Sequence, residues 1–499
     1  MQALAMPFGA LGPAAVLAMG AVAVLLAEVL FLRRSSTLSP SSGVERRARL
    51  LLAAVASVAI LVAIGVALGG VADSAAASAG SPDSELRLDG LAAVSIALIC
   101  FGGLLCLWLS TTYLTVLRIE HGGYYALLLL SMAGSAVVLA AENLMVLWVG
   151  FELAANPTHA LVGFDRKRRR STEAGLKSFI TSAFASAILV YGIALLYGAT
   201  GQLDYAALRA GLVADDGLAM TGLGLVLVGF AWKAALVPFH QWAPDAWEGA
   251  PTPVTAFLSV AATATALLTL LRVVDHALAD LGELLRPLFW ALSAASIVLG
   301  AAMSIIQQSV KRMLAWASVA HAGYAAMALV AATGSARVAM IFYLFVYVLM
   351  HVGAFGVVVT LAAGGREVEQ IDDFAGLSRT RPGLAAALTL FLLALAGIPG
   401  TAGFFARLEI FTATIGAGEL GLVAVGVLGS VVSLYAYLRL PIAMYMRDTR
   451  RQGRGQATMS ELLVIGICAI AVVWLGLLPN AQLPGLGAGL LDWIASAVG

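Results

Sequence analysis

The chain has 499 residues, 61% of them hydrophobic and 11% charged, with a formal net charge of +1 at pH 7. A mean hydropathy of +0.95 excludes a soluble enzyme carrying one greasy segment and defines a polytopic membrane protein. With opposite charges balanced, net charge selects no class of partner.

Apolar runs long enough to span a bilayer lie at 11–33, 48–70, 89–112, 123–141, 143–163, 174–199, 217–239, 252–274, 284–305, 311–332, 337–363, 382–412, 418–445 and 461–478, which predicts fourteen transmembrane helices. The first run lacks a cationic flank before it and a small-residue cleavage site after it, so it is expected to be a retained span. Cationic loops stay on the cytoplasmic side. Arg33 and Arg34 with Arg46, Arg47 and Arg49, DRKRRR at 165–170, Lys311 with Arg312, and RDTRRQGR at 447–454 all fall on one side of the predicted topology. DSAAASAGSPDSE at 73–85 and the stretch around Asp215 and Asp216 fall on the other. Both termini are therefore expected outside. The last twenty residues, NAQLPGLGAGLLDWIASAVG, predict a short interfacial helix carrying Trp493. Cys100, Cys106 and Cys468 sit in apolar runs without ligand spacing and read as packing residues. No phosphate loop, dinucleotide fingerprint or nucleophile elbow occurs in a suitable context.

Only four of the 29 cationic side chains are lysines, and one of them, Lys233, lies inside the apolar run GLAMTGLGLVLVGFAWKAALVPF. A charge at the middle of a membrane helix costs about 2.5 to 3.5 kcal/mol on insertion scales, so it reads as functional. Lysine, unlike arginine, exchanges its proton near neutral pH when its surroundings change. Pro238 interrupts this helix, and LALAGIPGTAGFFARLEIF at 393–411 places Gly397, Pro399, Gly400 and Gly403 just before Arg407. Broken membrane helices survive where protein or a water-filled cavity covers the freed backbone groups. Two interrupted helices, five spans apart and each bearing a cation, are the pattern of an inverted repeat. The expected architecture is an all-α integral membrane protein: helices one to three at 1–114, two inverted five-helix repeats at 115–275 and 276–446, each with a discontinuous helix, and helix fourteen with a tail at 447–499.

FELAANPTHALVGF, STEAGLKSFITSAFASAILVYGIALLYGATGQLD, FAWKAALVPFHQWAPDAWEGAPTPVTAFLS, SVKRMLAWASVAHAGYAAMAL, LFVYVLMHVGAFGVV, IDDFAGLSRTRP and LAGIPGTAGFFARLEIF resemble subunit N of the bacterial proton-pumping NADH:quinone oxidoreductase, complex I, from about residue 90 to 445. The resemblance implies two half-channels joined by a polar axis and no redox cofactor in this chain. NADH, flavin, iron-sulfur clusters and quinone would belong to partner subunits. Further membrane-arm subunits, antiporter-like ones included, would be its partners, the lipid bilayer its surroundings and the bacterial plasma membrane its location; nucleic acid has no part.

The same resemblance implies that Glu152 and Lys233 form a switched pair inside the membrane. Lys177 would relay protons toward the cytoplasm, unless it snorkels beside Glu173. His321 would link the halves, with a carbonyl-bonded core histidine as the bland alternative, and His240 reads as structural. His159 and His351 stand where the family has other residues and receive no role. Two departures matter. Thr263 replaces the family's eighth-helix lysine, and a threonine orients water without carrying a proton. Arg407 replaces the twelfth-helix lysine and is expected to be a fixed charge paired with Glu409 or another carboxylate. A subunit of a related complex fed by ferredoxin, a hydrogenase or a Na⁺/H⁺ antiporter assembly, and a non-pumping structural spacer, remain the alternatives.

Overall fold

A computed structural model describes residues 9–31, 43–74, 85–117, 122–362, 367–448, 457–478 and 489–498. Among these the regular structure is helical, with isolated bridges at Leu86–Ala141, Asn143–Asp204 and Ser309–Gln370. In chain order the helices are α1 (Gly12–Phe31), α2 (Gly43–Ser74), α3 (Gly90–Leu117), α4 (Gly122–Ala140), α5 (Leu144–Val162), α6 (Arg169–Thr200), α7 (Tyr205–Gly211), α8 (Gly217–Lys233), α9 (Trp242–Gly249) and α10 (Thr252–Leu258). A π-helical segment, Ser259–Ala264, joins α10 to α11 (Thr265–His276). Then follow α12 (Gly282–Ile306), α13 (Val310–Ala331), α14 (Gly334–Thr360), α15 (Leu377–Thr380), α16 (Pro382–Ala396), α17 (Ala402–Gly416), α18 (Leu420–Met446), α19 (Met459–Leu477) and α20 (Leu490–Val498).

Eleven of the described helical stretches are long and apolar enough to cross a bilayer, which makes this a multi-pass membrane protein. The helices differ in where their apolar surface goes. Phe179, Phe184 and Tyr191 on α6 and Leu428, Val431 and Tyr435 on α18 are exposed, as lipid-facing side chains must be. By contrast α13 is buried along its whole apolar length, and α14 and α10–α11 nearly so. A helix apolar all round belongs in the centre, and the polar residues on these three therefore face other helices. Small residues allow the close approach that membrane packing relies on. At Gly222 on α8 a Cβ would stand 2.9 Å from the Gly192 carbonyl of α6.

The break after Lys233 begins earlier than the proline suggests. The helix ends at Lys233, and Ala235 takes a left-handed φ of 56° three residues before Pro238, which follows a cis peptide bond. Freed backbone groups find protein partners: the Val237 amide donates to Ser296 Oγ (2.9 Å), and the Trp242 indole donates to the Trp232 carbonyl (2.8 Å). The second break is where it was expected, with Gly397 and Gly400 at φ of 80° and 87° between α16 and α17. Arg33, Arg34, the 449–454 stretch, the side chains of Arg46 and Arg47, and 75–84 of the acidic loop lie outside the described residues. Trp493 is carried by α20, which packs on α3 and α14; 480–488 of the tail are outside the described residues.

A buried ionic clasp ties the two parts of the chain together. Glu367 accepts from the Arg168 guanidinium, the Tyr113 hydroxyl, the Thr252 amide (3.0 Å) and the Lys311 ammonium (3.2 Å). Lys311, read from sequence as a loop cation, is fully buried and also donates to the Ala250 carbonyl (2.6 Å). Burial alone would raise the Glu367 carboxyl, but Lys311 and Arg168 more than offset it and hold it well below the usual carboxylate range. A depressed carboxyl stabilises the fold fully above the unfolded value, about 4.3, and the contribution is lost as pH falls toward the folded value. Glu367→Ala is expected to cost about 3–5 kcal/mol, because it removes the nearer carboxylate of the fully buried Lys311 and leaves it Glu369 at 3.6 Å. Thermal unfolding of the purified complex checks this: the loss should be large and nearly constant from pH 7 down to about 4.3 and shrink only below that.

Candidate functional site

Lys233 is the last residue of α8, where the helix dipole favours a cation. Its ammonium donates to Glu152 Oε1 on α5 at 3.3 Å, the lysine side chain 7% exposed and the glutamate 26%. The rings of Phe151 and Trp232 lie 5.3 and 5.9 Å from the ammonium and add cation–π attraction. Among the described residues, one carboxylate and two ring faces supply its counter-charge. Beside it lies a cavity of about 40 Å³ whose mostly apolar lining includes the polar side chains of Thr158, His159, Ser178 and Lys233, a volume of water size. His159 bonds Ser178 Oγ through Nδ1 (3.2 Å), while its Nε2 is buried without a partner.

Lys177, the residue before Ser178, belongs to a different surface. Its ammonium is 2.9 Å from Glu173 and 3.5 Å from Asp245, and its side chain is 54% exposed. Asp245 and Glu248 are held in turn by Arg312 at 2.9 and 2.8 Å. These residues line a separate, open cavity of about 230 Å³. The structure thus brings Glu152 to Lys233 but leaves Lys177 on the rim, in the snorkelling position. His240 packs its ring on Trp316 with centroids 5.0 Å apart in the connection between α8 and α9. Burial pushes its imidazole below the usual range, as suits a structural histidine.

In the second half, Arg407 on α17 corrects one expectation. Its guanidinium pairs with carbonyls: Ala396 at 2.5 Å and Leu395, with Ser430 Oγ at 2.9 Å and the Tyr324 ring 4.6 Å away. Glu409 forms no ion pair with it among the described residues. Neighbours two apart on a regular helix point to different faces, and α17 is regular there. The carbonyls are the unsatisfied end of α16, so Arg407 is a staple across the break. Gly397 must be glycine for this, since a Cβ would sit 2.7 Å from Arg407 Nη1.

His321 on α13 is buried, its Nδ1 2.6 Å from the Tyr343 hydroxyl and its Nε2 3.5 Å from that of Tyr437. Thr263 lies in the π-helical segment, a local geometry concentrated at functional sites, against the Tyr347 hydroxyl. That hydroxyl also meets Ser318 Oγ at 2.7 Å. Sequence reasoning passed over a further buried group. Arg272 on α11 bridges Asp89 (2.8 Å), Glu142 (2.5 Å) and the Ala141 carbonyl (3.0 Å), and His276 closes on Glu142 at 2.9 Å. The signal was an arginine inside an apolar run. Asp89, Glu142 and His276 are close enough to hold a metal ion, but the Arg272 guanidinium already supplies the positive charge between the carboxylates. Burial raises both carboxyls, and the neighbouring cations more than reverse it.

Residues 141–433 match the family described as NADH:quinone oxidoreductase/Mrp antiporter, transmembrane. A protein named NADH-quinone oxidoreductase subunit N 1 from Sorangium cellulosum is 36% identical, covering 96% of this chain and 97% of the relative. One named NADH-quinone oxidoreductase subunit N from Chloroflexus aggregans is 38% identical over 79% of this chain and 82% of its own length. Among solved structures, a chain of respiratory complex I from Thermus thermophilus has a TM-score of 0.77 at 30% identity, covering 96% of this chain and all of that one. A chain of the Mrp complex from Dietzia has a TM-score of 0.81 at 21% identity over 97% of both, a likeness of fold.

Proposed function

We infer that this chain, which belongs to the NADH-quinone oxidoreductase subunit N family, translocates protons in the membrane arm of such a complex. The observation that carries the reading is Lys233: a buried ammonium with one carboxylate at 3.3 Å, at a helix break, beside a cavity of water size. Moving the negative charge of Glu152 away removes what stabilises the ammonium, and Lys233 then gives its proton to water in the cavity. Restoring the carboxylate draws a proton back. His159 and Ser178 line the same cavity, and the Lys177 rim offers a charged mouth for exchange with the aqueous phase.

In this reading α5 and the two broken helices join the eleven long stretches to give fourteen membrane segments. Repeats at 115–275 and 276–446 are related by inversion, and both termini lie outside. Electron transfer from NADH to quinone takes place in partner subunits and drives the switch through the shared membrane arm. A second reading, a non-pumping spacer, is favoured by Thr263 and by the carbonyl-bound Arg407, which stand where the family has lysines in the eighth and twelfth helices. The electron donor is fixed by the neighbouring subunits, which purification of the whole complex identifies.

The test is Glu152→Gln in the complex reconstituted into vesicles, with electron transfer and proton uptake recorded together. Proton flux through this subunit is expected to fall on the order of a hundredfold, the scale of one proton-transfer group, with the subunit still assembled. An unchanged proton-to-electron ratio would overturn the switch.

A further inference from the structure

We propose that His351, in partnership with His321, is the group that holds the proton between the two halves of the chain; this rests on the proton-translocating reading above. His351 lies within α14 and is completely buried. Its Nδ1 is 3.2 Å from the Tyr347 carbonyl, which only accepts, and the tautomer that makes this bond carries its hydrogen on Nδ1. Nε2 is then a bare lone pair, and it has no hydrogen-bond partner. A buried imidazole kept for packing alone has no use for an unfilled basic site. A second carbonyl, that of Leu314 on α13, also faces the ring. The neutral ring can offer one N–H to these two carbonyls, whereas the imidazolium offers two.

The surroundings place this lone pair on the line between the halves. On one side is Trp247 of α9, the helix that follows the break after Lys233, with ring centroids 6.1 Å apart. The Trp247 indole N–H is also buried without a partner. Buried polar atoms left without a protein partner are the ones that internal water satisfies. On the other side the His321 ring stands 5.5 Å away at 89°, and His321 contacts Tyr343 and Tyr437 in front of Arg407. Thr263 and Ser318 meet His351 through Tyr347, whose ring is 4.2 Å from it. Of the groups facing this ring, the hydroxyls and the indole do not ionise near neutral pH, and Arg407 is permanently charged and fixed on carbonyls. Only the two imidazoles change protonation there. At their separation one proton on the pair disfavours a second, so the pair carries one proton at a time. Where Thr263 cannot carry a proton, His351 does.

The experiment compares His351→Gln, His351→Lys and Lys233→Ala in the whole complex in vesicles, with electron transfer recorded beside proton uptake across pH. The glutamine keeps a bond to the carbonyl but takes up no proton. It is expected to lower proton flux through this subunit as far as Lys233→Ala does, while His351→Lys restores flux and moves its alkaline limit to higher pH. A packing role predicts instead that the lysine is worse than the glutamine and that the pH profile stays in place. If Lys233→Ala lowers flux and an assembled His351→Gln leaves it unchanged, the histidine proposal falls and the Lys233 switch stands. If the glutamine variant does not assemble, a lysine variant with wild-type flux and an unmoved pH profile overturns the proposal. Unchanged flux in Lys233→Ala removes the translocation reading and this proposal with it.

Discussion

Lys233→Ala is expected to abolish proton flux through this subunit, with a loss of about 10²–10⁴-fold, the range for removing a positioned proton donor. The protein should remain inserted, because the substitution removes a buried charge that costs about 2.5 to 3.5 kcal/mol to place in the membrane. The informative companion is Lys233→Arg. It preserves the cation at the end of α8, its pairing with Glu152 and its place between Phe151 and Trp232. Arginine does not release its proton in a protein. Flux should therefore fail nearly as badly as with alanine, although the electrostatics are kept. Proton uptake by vesicles, normalised to NADH oxidation, measures both. A full proton-to-electron ratio in the arginine variant would reduce Lys233 to a counter-charge.

The second large effect is expected at Arg407. Arg407→Ala removes the donors that satisfy the Leu395 and Ala396 carbonyls and the link to Ser430. Buried hydrogen bonds to a charged group contribute about 1.5–3 kcal/mol each, so the break between α16 and α17 should loosen enough to lower the midpoint of thermal unfolding and disturb the tyrosine cluster around His321. Arg407→Lys keeps the charge with a single donor centre and should recover most of the flux and only part of the stability. Both quantities are read from one preparation, by thermal unfolding and by vesicle proton uptake. Wild-type flux in Arg407→Ala would mean that the second half does not conduct, and would favour the spacer reading.

Eleven of the fourteen expected spans and the two breaks were legible because bilayer thickness and backbone satisfaction act on sequence directly. The pairing of Glu152 with Lys233 was legible through resemblance, 81 residues apart. What escaped depended on contacts that composition does not encode. Ala235 bends the chain before Pro238, and a positive φ at alanine leaves no mark on the sequence. Arg407 found carbonyls because its helix turned it toward the end of α16, whereas adjacency to Glu409 had suggested a carboxylate. Lys311 sat in a basic pair that read as a cytoplasmic loop, yet its ammonium is inside the clasp. Asp89 and Arg272 are 183 residues apart, and only the packing of α11 against the α3 and α4 ends joins them. The short helices α7 and α9 were absorbed into loops, and with α9 went Trp247, the neighbour that gives His351 its setting.

The clasp around Glu367 limits how the molecule can move while it works. Arg168, Tyr113 and Thr252 come from the part of the chain before α12, and Glu367, Glu369 and Lys311 from the part after it begins. Rocking one part against the other would have to part these charges, the buried pair of Lys311 and Glu367 among them, at about 3–5 kcal/mol. A penalty of that size slows each cycle by roughly a hundred- to several-thousandfold. The two parts therefore behave as one rigid frame on the time scale of turnover. Traffic through it is carried by side chains of a few ångströms' reach and by water, so inhibitors should act by filling wet gaps and not by trapping a large rearrangement.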